Sequence, residues 1–249
     1  MVAIVARTLD QHPRLPGSLN ETASRIESHG TKPTVIVADL SNEDDRARIV
    51  PEAIDGLGGP IDILINNAAA GILQPILEVP MRRVRLSFEV NVLAGLDLAQ
   101  QVAPAMRDRA EGWIINVTSG AADASVGPPF DLKGVIAVTG IYGTNKAALN
   151  RVTNALAAEL WGTGVRINTI EPRSTILTRG TASFIDATPG GLGLELLDGE
   201  YETLEPMVEA TLALCDCPTS VTGQRFVSVD LVREWGLEVR AIDGSPLPA

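Results

Sequence analysis

Short apolar runs alternate with helix-patterned segments along nearly the whole chain, and this alternation restricts the fold more than any other feature. Strands are predicted over residues 2–6, 34–38, 61–65, 113–117, 165–170 and 225–229. Helices are predicted over residues 18–29, behind Ser41, over about 81–109, over about 141–161 and near 204–214. Gly30 stops the first helix, with His29 beside it at the end where an imidazole suits the helix dipole. Ser41 with Asp44 three residues on suggests a capping box for the second. Strands joined through helices imply right-handed βαβ crossovers and a parallel sheet covered on both faces. The expected fold is therefore α/β, a doubly wound parallel sheet in one domain. In such sheets ligands bind beyond the carboxyl ends of the strands, so the residues after each strand are the ones to inspect.

Composition narrows the function. The 249 residues are 45% hydrophobic and 20% charged, which suits one folded domain. Twenty Lys and Arg face 31 Asp and Glu, a net charge of −11, and a phosphate-binding partner such as a nucleic acid would need the opposite sign. No apolar run approaches the roughly 20 residues that span a bilayer, and the opening Met-Val-Ala-Ile-Val-Ala is too short for a signal peptide. Two cysteines, Cys215 and Cys217, cannot build a disulfide framework, so a reducing, cytoplasmic location is expected. The only histidines are His12 and His29, too few for a Ser-His-Asp triad or a histidine zinc site. Cys215-Asp216-Cys217 has no second ligand cluster and reads as a packed helix end, with no metal site expected.

Three strand ends carry distinctive residues. Asn66-Asn67-Ala68-Ala69-Ala70-Gly71 follows the third strand, where small side chains would admit a flat ligand to the backbone, although these are also ordinary turn residues. Thr118-Ser119-Gly120 follows the fourth, either a functional hydroxyl pair or a plain cap. Tyr142-Gly143-Thr144-Asn145-Lys146 opens a helix, and a spacing of four sets both side chains on one face. A phenol near pKa 10 is a poor acid–base catalyst at neutral pH, and an adjacent ammonium would favour its ionised form. With two tyrosines and three lysines in the chain, chance gives such a pair roughly 2% of the time.

Taken in order, these residues resemble the classical branch of the short-chain dehydrogenase/reductase family over nearly the whole chain. Residues 2–7 look like that family's second strand, Asp39-Leu40 like its adenine-contacting pair, and Asn66–Ala69 like its Asn-Asn-Ala-Gly turn with Ala69 in the glycine's place. Asn91, in Phe88-Glu89-Val90-Asn91-Val92, looks like the family's helix asparagine. Ser119, Tyr142 and Lys146 then fall on the remaining catalytic positions. The resemblance implies an NAD(P)-dependent oxidoreductase interconverting an alcohol and a ketone or aldehyde. Tyr142 would exchange a proton with the substrate oxygen and Ser119 would hold that oxygen. Lys146 would lower the tyrosine pKa and bind the nicotinamide ribose, and Asn91 would anchor a water of the proton relay. Cofactor contacts would come from Arg7, Asp39, Leu40, Asn67, Ala68, Ala69, Tyr142, Lys146, Thr175 and Thr178. Arg7 at the end of the first strand favours the 2′-phosphate of NADP over NAD. A homodimer or homotetramer is implied, with a small-molecule substrate and neither nucleic acid nor membrane as partner.

The sequence departs from the family in three places. None of its 23 glycines supplies the Thr-Gly-x-x-x-Gly-x-Gly turn that cradles a pyrophosphate. The expectation is a Rossmann-like domain over 1–249 whose first strand and helix are missing. Because that strand is central in the 3-2-1-4-5-6 order, two neighbouring strands would lack ladder partners. A longer working protein or a fragment with impaired cofactor binding would each account for this, and the intact catalytic set favours the first. Ser119 and Tyr142 lie 23 residues apart, with 123–138 resembling an insertion. Glu171-Pro172-Arg173 stands where Pro-Gly is usual, ahead of a substrate loop or lid over 174–215. Phe130, Val135, Ile136, Ile176, Leu177, Phe184 and Ile185 would make the pocket suit a bulky apolar substrate, or else pack in the core. The alternative is a non-catalytic relative that acts through association.

Overall fold

The computed structural model describes residues 1–12, 16–130, 138–179, 181 and 201–247. All six predicted strands form, within two residues at each end: β1 (Ala3–Ala6), β2 (Thr34–Val37), β3 (Ile63–Asn66), β4 (Gly112–Val117), β5 (Val165–Glu171) and β6 (Arg225–Val227). Between them run α1 (Leu19–Glu27), α2 (Glu43–Leu57), α3 (Met81–Phe88), α4 (Ala94–Asp108), α5 (Gly140–Glu159) and α6 (Leu204–Leu214). Ser18 caps α1 by accepting from the Glu21 amide at 3.0 Å, and Gly30 turns the chain away with φ +84°.

Three expectations need correction. The Ser41–Asp44 capping box does not form: Asn42 caps α2 by accepting from the Asp45 amide at 3.1 Å. Ser41 instead donates its amide and hydroxyl to Asp39 Oδ1, at 2.9 and 2.7 Å, a local turn that outcompetes the box. The long helix over 81–109 is not uniform, because Glu89–Leu93 forms a π-turn between α3 and α4. The last strand stops at Val227, and Ser228–Trp235 is a further helix, α7. Its signals are ordinary ones: Asp230 in the first turn, Arg233 in the last, and Gly236 in the left-handed conformation behind it.

Every strand pair is parallel. β1 pairs with β2, and β3, β4, β5 and β6 form a second sheet in that order. Helices cover both faces, as the alternating pattern requires. One core joins Ile36, Ile49, Leu98, Met106, Ile114 and Ile167 beneath α2, α4 and α5. The other joins Ile115, Ile170, Ala210, Leu214 and Leu231 beneath α6 and α7. Among the described residues no ladder bond links β1 to β3, and each presents an unpaired edge, as the sequence reading required. A cleft of about 1030 Å³ lies there, running from Met1 and Arg109 at one end to Asn67, Ala68 and Lys146 at the other. Ile63 and Ile65 of β3 are 42% and 45% exposed along it. Among the described residues no helix is long and apolar enough to cross a membrane.

Without a backbone ladder, helix contacts and ion pairs join the β1–β2 unit to the larger sheet, among them Glu21 of α1 with Arg179 beyond β5 at 2.6 Å. Arg46 of α2 is buried and donates to Asp97 of α4 at 2.8 Å, to Glu89 of the π-turn at 3.2 Å and to the Leu40 carbonyl at 2.8 Å. Removing the guanidinium strands these acceptors part-buried. Arg46→Ala should lower the unfolding free energy by roughly 2–4 kcal/mol, read from urea denaturation. A loss under roughly 0.5 kcal/mol would show that the apolar contacts suffice.

Candidate active site

The carboxyl ends of β3, β4 and β5 meet the start of α5, and close packing sets how they meet. A Cβ built on Gly143 would lie 2.2 Å from the Ala121 carbonyl oxygen, so only glycine lets α5 settle onto the 3-10 turn Gly120–Ala122. Ser119 caps that turn, accepting from the Ala121 amide at 3.2 Å. The turn and the helix thereby bring the Ser119 hydroxyl close enough to that of Tyr142 to act on its pKa.

One turn further along α5, Lys146 is 2% exposed, and its ammonium lies 5.6 Å from the centre of the Tyr142 ring. It donates to the Val117 carbonyl at the end of β4, at 2.8 Å. Burial lowers its pKa to about 8. The phenol goes the other way: burial raises its pKa, the Ser119 hydroxyl offsets part of that, and the charge of Glu171 adds to the rise. The ammonium beside the ring is not enough to bring the phenol's pKa down, because burial sets the direction of its net shift.

Asn91 lies in the π-turn, where the widened helix aims its buried amide at the loop after β3. Its Oδ1 accepts from the Ala70 amide at 2.9 Å, and its Nδ2 donates to the Ala70 carbonyl at 2.8 Å and to Ser87 at 3.0 Å. Asn145 of α5 donates to the same Ser87 hydroxyl, while its own Oδ1 is buried without a partner. Deeper in, Asn66 donates to Asn116 at 2.8 Å, and Asn116 donates to Thr153 at 2.8 Å, joining β3, β4 and α5. The sequence had singled out Asn91 but not Asn116, which in an apolar strand reads as a lone polar residue.

The remaining predicted residues lie around this centre. Arg7 and Asp39, at the ends of β1 and β2, approach to 4.0 Å with their side chains 61% and 40% exposed. Leu40 lines the cleft, and so do Asn67 and Ala68. Asn67, Ala68 and Ala69 are exposed. Thr175 and Thr178 lie beyond β5: the Thr175 carbonyl accepts from the Glu202 amide at 3.1 Å, and the Thr178 hydroxyl is 2.9 Å from that of Thr181. Of the apolar candidates, Phe130 and Leu177 are 58% and 44% exposed, whereas Ile176 packs against the second core. Val135, Ile136, Phe184, Ile185 and residues 180 and 182–200 of the expected lid lie outside the described residues. Sequence reading missed one charged cluster, in which Arg225 of β6 binds Glu171 of β5 and Asp123. Its members are far apart in the chain, and no local pattern joins them.

The short chain dehydrogenase family model matches residues 13–187. Hydroxysteroid dehydrogenase-like protein 2 of Danio rerio is 28% identical over 251 residues, covering 99% of this chain and 56% of that protein. The chain thus spans little more than half the length of that relative. L-xylulose reductase of Mesocricetus auratus is 32% identical over 174 residues, 69% of this chain and 67% of that one. A short chain dehydrogenase structure from Mycobacterium thermoresistibile superposes with a TM-score of 0.78 at 27% identity, covering 100% of this chain and 82% of that one. L-sorbose reductase from Gluconobacter frateurii, complexed with NADPH and L-sorbose, gives a TM-score of 0.74 at 26% identity over 90% and 84% of the two chains.

The close approach of α5 to the Ser119 turn gives a direct test. Gly143→Ala must push the turn away by more than an ångström, because the obstacle is a backbone carbonyl rather than a mobile side chain. The variant should lose roughly 1–3 kcal/mol of stability in denaturant unfolding. An unchanged midpoint would mean that the two segments are not held in contact.

Proposed function

Because the chain belongs to the short-chain dehydrogenase family, we propose that it is a nicotinamide-dependent oxidoreductase acting on an alcohol–carbonyl pair. The observation that carries this reading is that Ser119 after β4 and Tyr142 and Lys146 at the start of α5 come together, with Lys146 and Asn91 lining the cleft. The residues present fit the two ends of a dinucleotide. Lys146 is a buried ammonium that donates to the Val117 carbonyl and has further donors for ribose hydroxyls, and the unpartnered Asn145 Oδ1 lies next to it in the chain. At the other end, Arg7 is an exposed cation tied only loosely to Asp39, suited to a 2′-phosphate; NADP is the favoured cofactor and NAD the alternative. The relative that was solved with NADPH supports the same choice.

When bound, the cofactor supplies or accepts the hydride. The chain's own residues manage the oxygen. Ser119 orients it by hydrogen bonding, and Tyr142 exchanges the proton. The phenol is protonated at neutral pH and can donate to a carbonyl oxygen, and its phenolate can take the proton back from an alcohol. Asn91 holds the Ala70 loop and would anchor a relay water beside it. Exposed Phe130 and Leu177 support an apolar substrate. We assign residues 174–215 to substrate covering within the single domain, and the outer faces of α4 and α5 to assembly as a homodimer or homotetramer.

The unpaired edges of β1 and β3 favour a second reading, in which the chain binds no dinucleotide and acts by association. NADPH fluorescence titration separates the two, since a folded chain without NADPH affinity supports the second.

Tyr142→Phe should leave NADPH affinity within about twofold while reductive turnover falls roughly a thousandfold. Turnover like that of the unsubstituted chain would overturn the assignment. A second expectation concerns pH. Lys146 carries its proton below about 8 and loses it above. NADPH affinity should therefore be highest below that pH and fall as the pH rises through it. In Lys146→Met affinity should be low and indifferent to pH across the same range, as titration at a series of pH values would show.

A further inference from the structure

Where α5 meets α3 and the π-turn, three polar side chains are shut away from solvent together. Asn145 is 0% exposed, Ser87 1% and Asn91 2%. The Ser87 hydroxyl is their junction. It accepts from Asn145 Nδ2 and, at 3.0 Å, from Asn91 Nδ2, and it donates to the Ala70 carbonyl at 3.4 Å. A hydroxyl offers one proton and two lone pairs, so Ser87 is used to capacity. Asn91 completes the group by holding both backbone groups of Ala70, as donor at 2.8 Å and as acceptor at 2.9 Å.

This group joins parts that the other bonds of the site leave separate. Lys146 Nζ donates to the Val117 carbonyl at 2.8 Å, Asn116 to Thr153 at 2.8 Å, and the Thr118 hydroxyl to the Lys146 carbonyl at 3.4 Å. Those bonds fix α5 to β4 and, through Asn116 and Asn66, to the end of β3. The loop beyond β3, in which Asn67 and Ala68 line the cleft, is reached from α5 through Ser87 and Asn91. Asn145 stands between Tyr142 and Lys146 on the helix, and its Oδ1 has no partner, so its amide is held through Nδ2. Directional bonds among buried groups set a register that apolar contact does not, because a group that loses its partner stays desolvated.

We infer that Ser87 and Asn145 are positioning residues, which set the Asn91 amide and the Ala70 loop against the helix that carries Tyr142 and Lys146. This rests on the function proposed above, and it adds two residues that act through Asn91 rather than on the substrate oxygen. Dinucleotide binding draws on Lys146 and Arg7, to which Ser87 makes no bond, whereas proton exchange needs Tyr142 and Asn91 in one register. Loosening the junction at Ser87 therefore slows the chemical step and spares cofactor affinity.

The test compares Ser87→Ala, Asn145→Leu and the double variant with the unsubstituted chain, using benzaldehyde and acetophenone as carbonyl probes. Circular dichroism establishes that each protein is folded at the assay temperature. In Ser87→Ala, kcat for reduction should fall roughly ten- to a hundredfold, while NADPH affinity from fluorescence titration stays within about threefold. Asn145→Leu should lose a comparable factor in kcat. The double variant should lose no more than the worse single one, because both substitutions remove the same junction. A purely structural role gives a different result, a lower denaturation midpoint with kcat per folded molecule unchanged. A folded Ser87→Ala protein whose kcat stays within about twofold of the parent would overturn the inference, and so would a double variant whose loss is the product of the two single losses. If Ser87→Ala does not fold, Asn145→Leu against the parent decides by the same limit on kcat. A parent that reduces neither probe fails the function proposed above and takes the inference with it, whereas an active parent beside an unaltered Ser87→Ala removes the inference alone.

Discussion

The buried amide chain from Asn66 through Asn116 to Thr153 is the constraint on which the rest of the site depends. Three elements distant in sequence are held by two bonds of 2.8 Å each, the first part-buried at the wall of the cleft and the second fully buried. The Thr153 hydroxyl in turn donates to the Leu149 carbonyl at 2.8 Å, so the polar path ends inside α5. A shift of α5 along the sheet would break a bond that nothing nearby could replace, and an unsatisfied buried amide is expensive. Apolar packing alone tolerates small slides of a helix on a sheet, whereas this path does not. Once α5 is fixed in that way, the positions of Tyr142 and Lys146 relative to the ends of β4 and β5 follow from helical geometry alone.

Much of this could be read from the sequence, because the signals concerned are local. Short apolar runs between helix patterns predict all six strands, and the spacing of Tyr142 and Lys146 puts both on one helical face. What the sequence concealed was set by partners far along the chain. Ser41 looked like a cap, but its donors were claimed by Asp39 two residues away, leaving Asn42 to do the work. The π-turn around Asn91 leaves no mark in a hydrophobic pattern that continues smoothly from α3 into α4. Glu171 and Arg225 are 54 residues apart and meet only because β5 and β6 lie side by side. The phenol's net shift was hidden for a related reason: the lysine is visible at four residues' distance, whereas the burial that raises the phenol's pKa comes from packing that no spacing shows.

The pair at Glu171 also bears on how the fold tolerates charge near its centre. Most of the buried polar groups are amides and hydroxyls that answer one another. Glu171 and Arg225 add an ion pair, with the carboxylate in the interior and the cation reaching outward to a surface aspartate. Such an arrangement contributes little net stability over an apolar replacement.

The absence of a ladder between β1 and β3 has a bearing on motion. Backbone hydrogen bonds hold β3 to β6 in one continuous unit, while β1, α1 and β2 are attached to it through α2, the Arg46 cluster and a shared apolar layer. Side-chain attachments release more readily than ladders, and local opening follows the weakest boundary. Amide hydrogens of β1 and β2 should therefore exchange with solvent together, at a lower opening free energy than those of β4 and β5. The molecule then comprises two cooperative units of unequal strength, with the cofactor's two ends assigned to different ones.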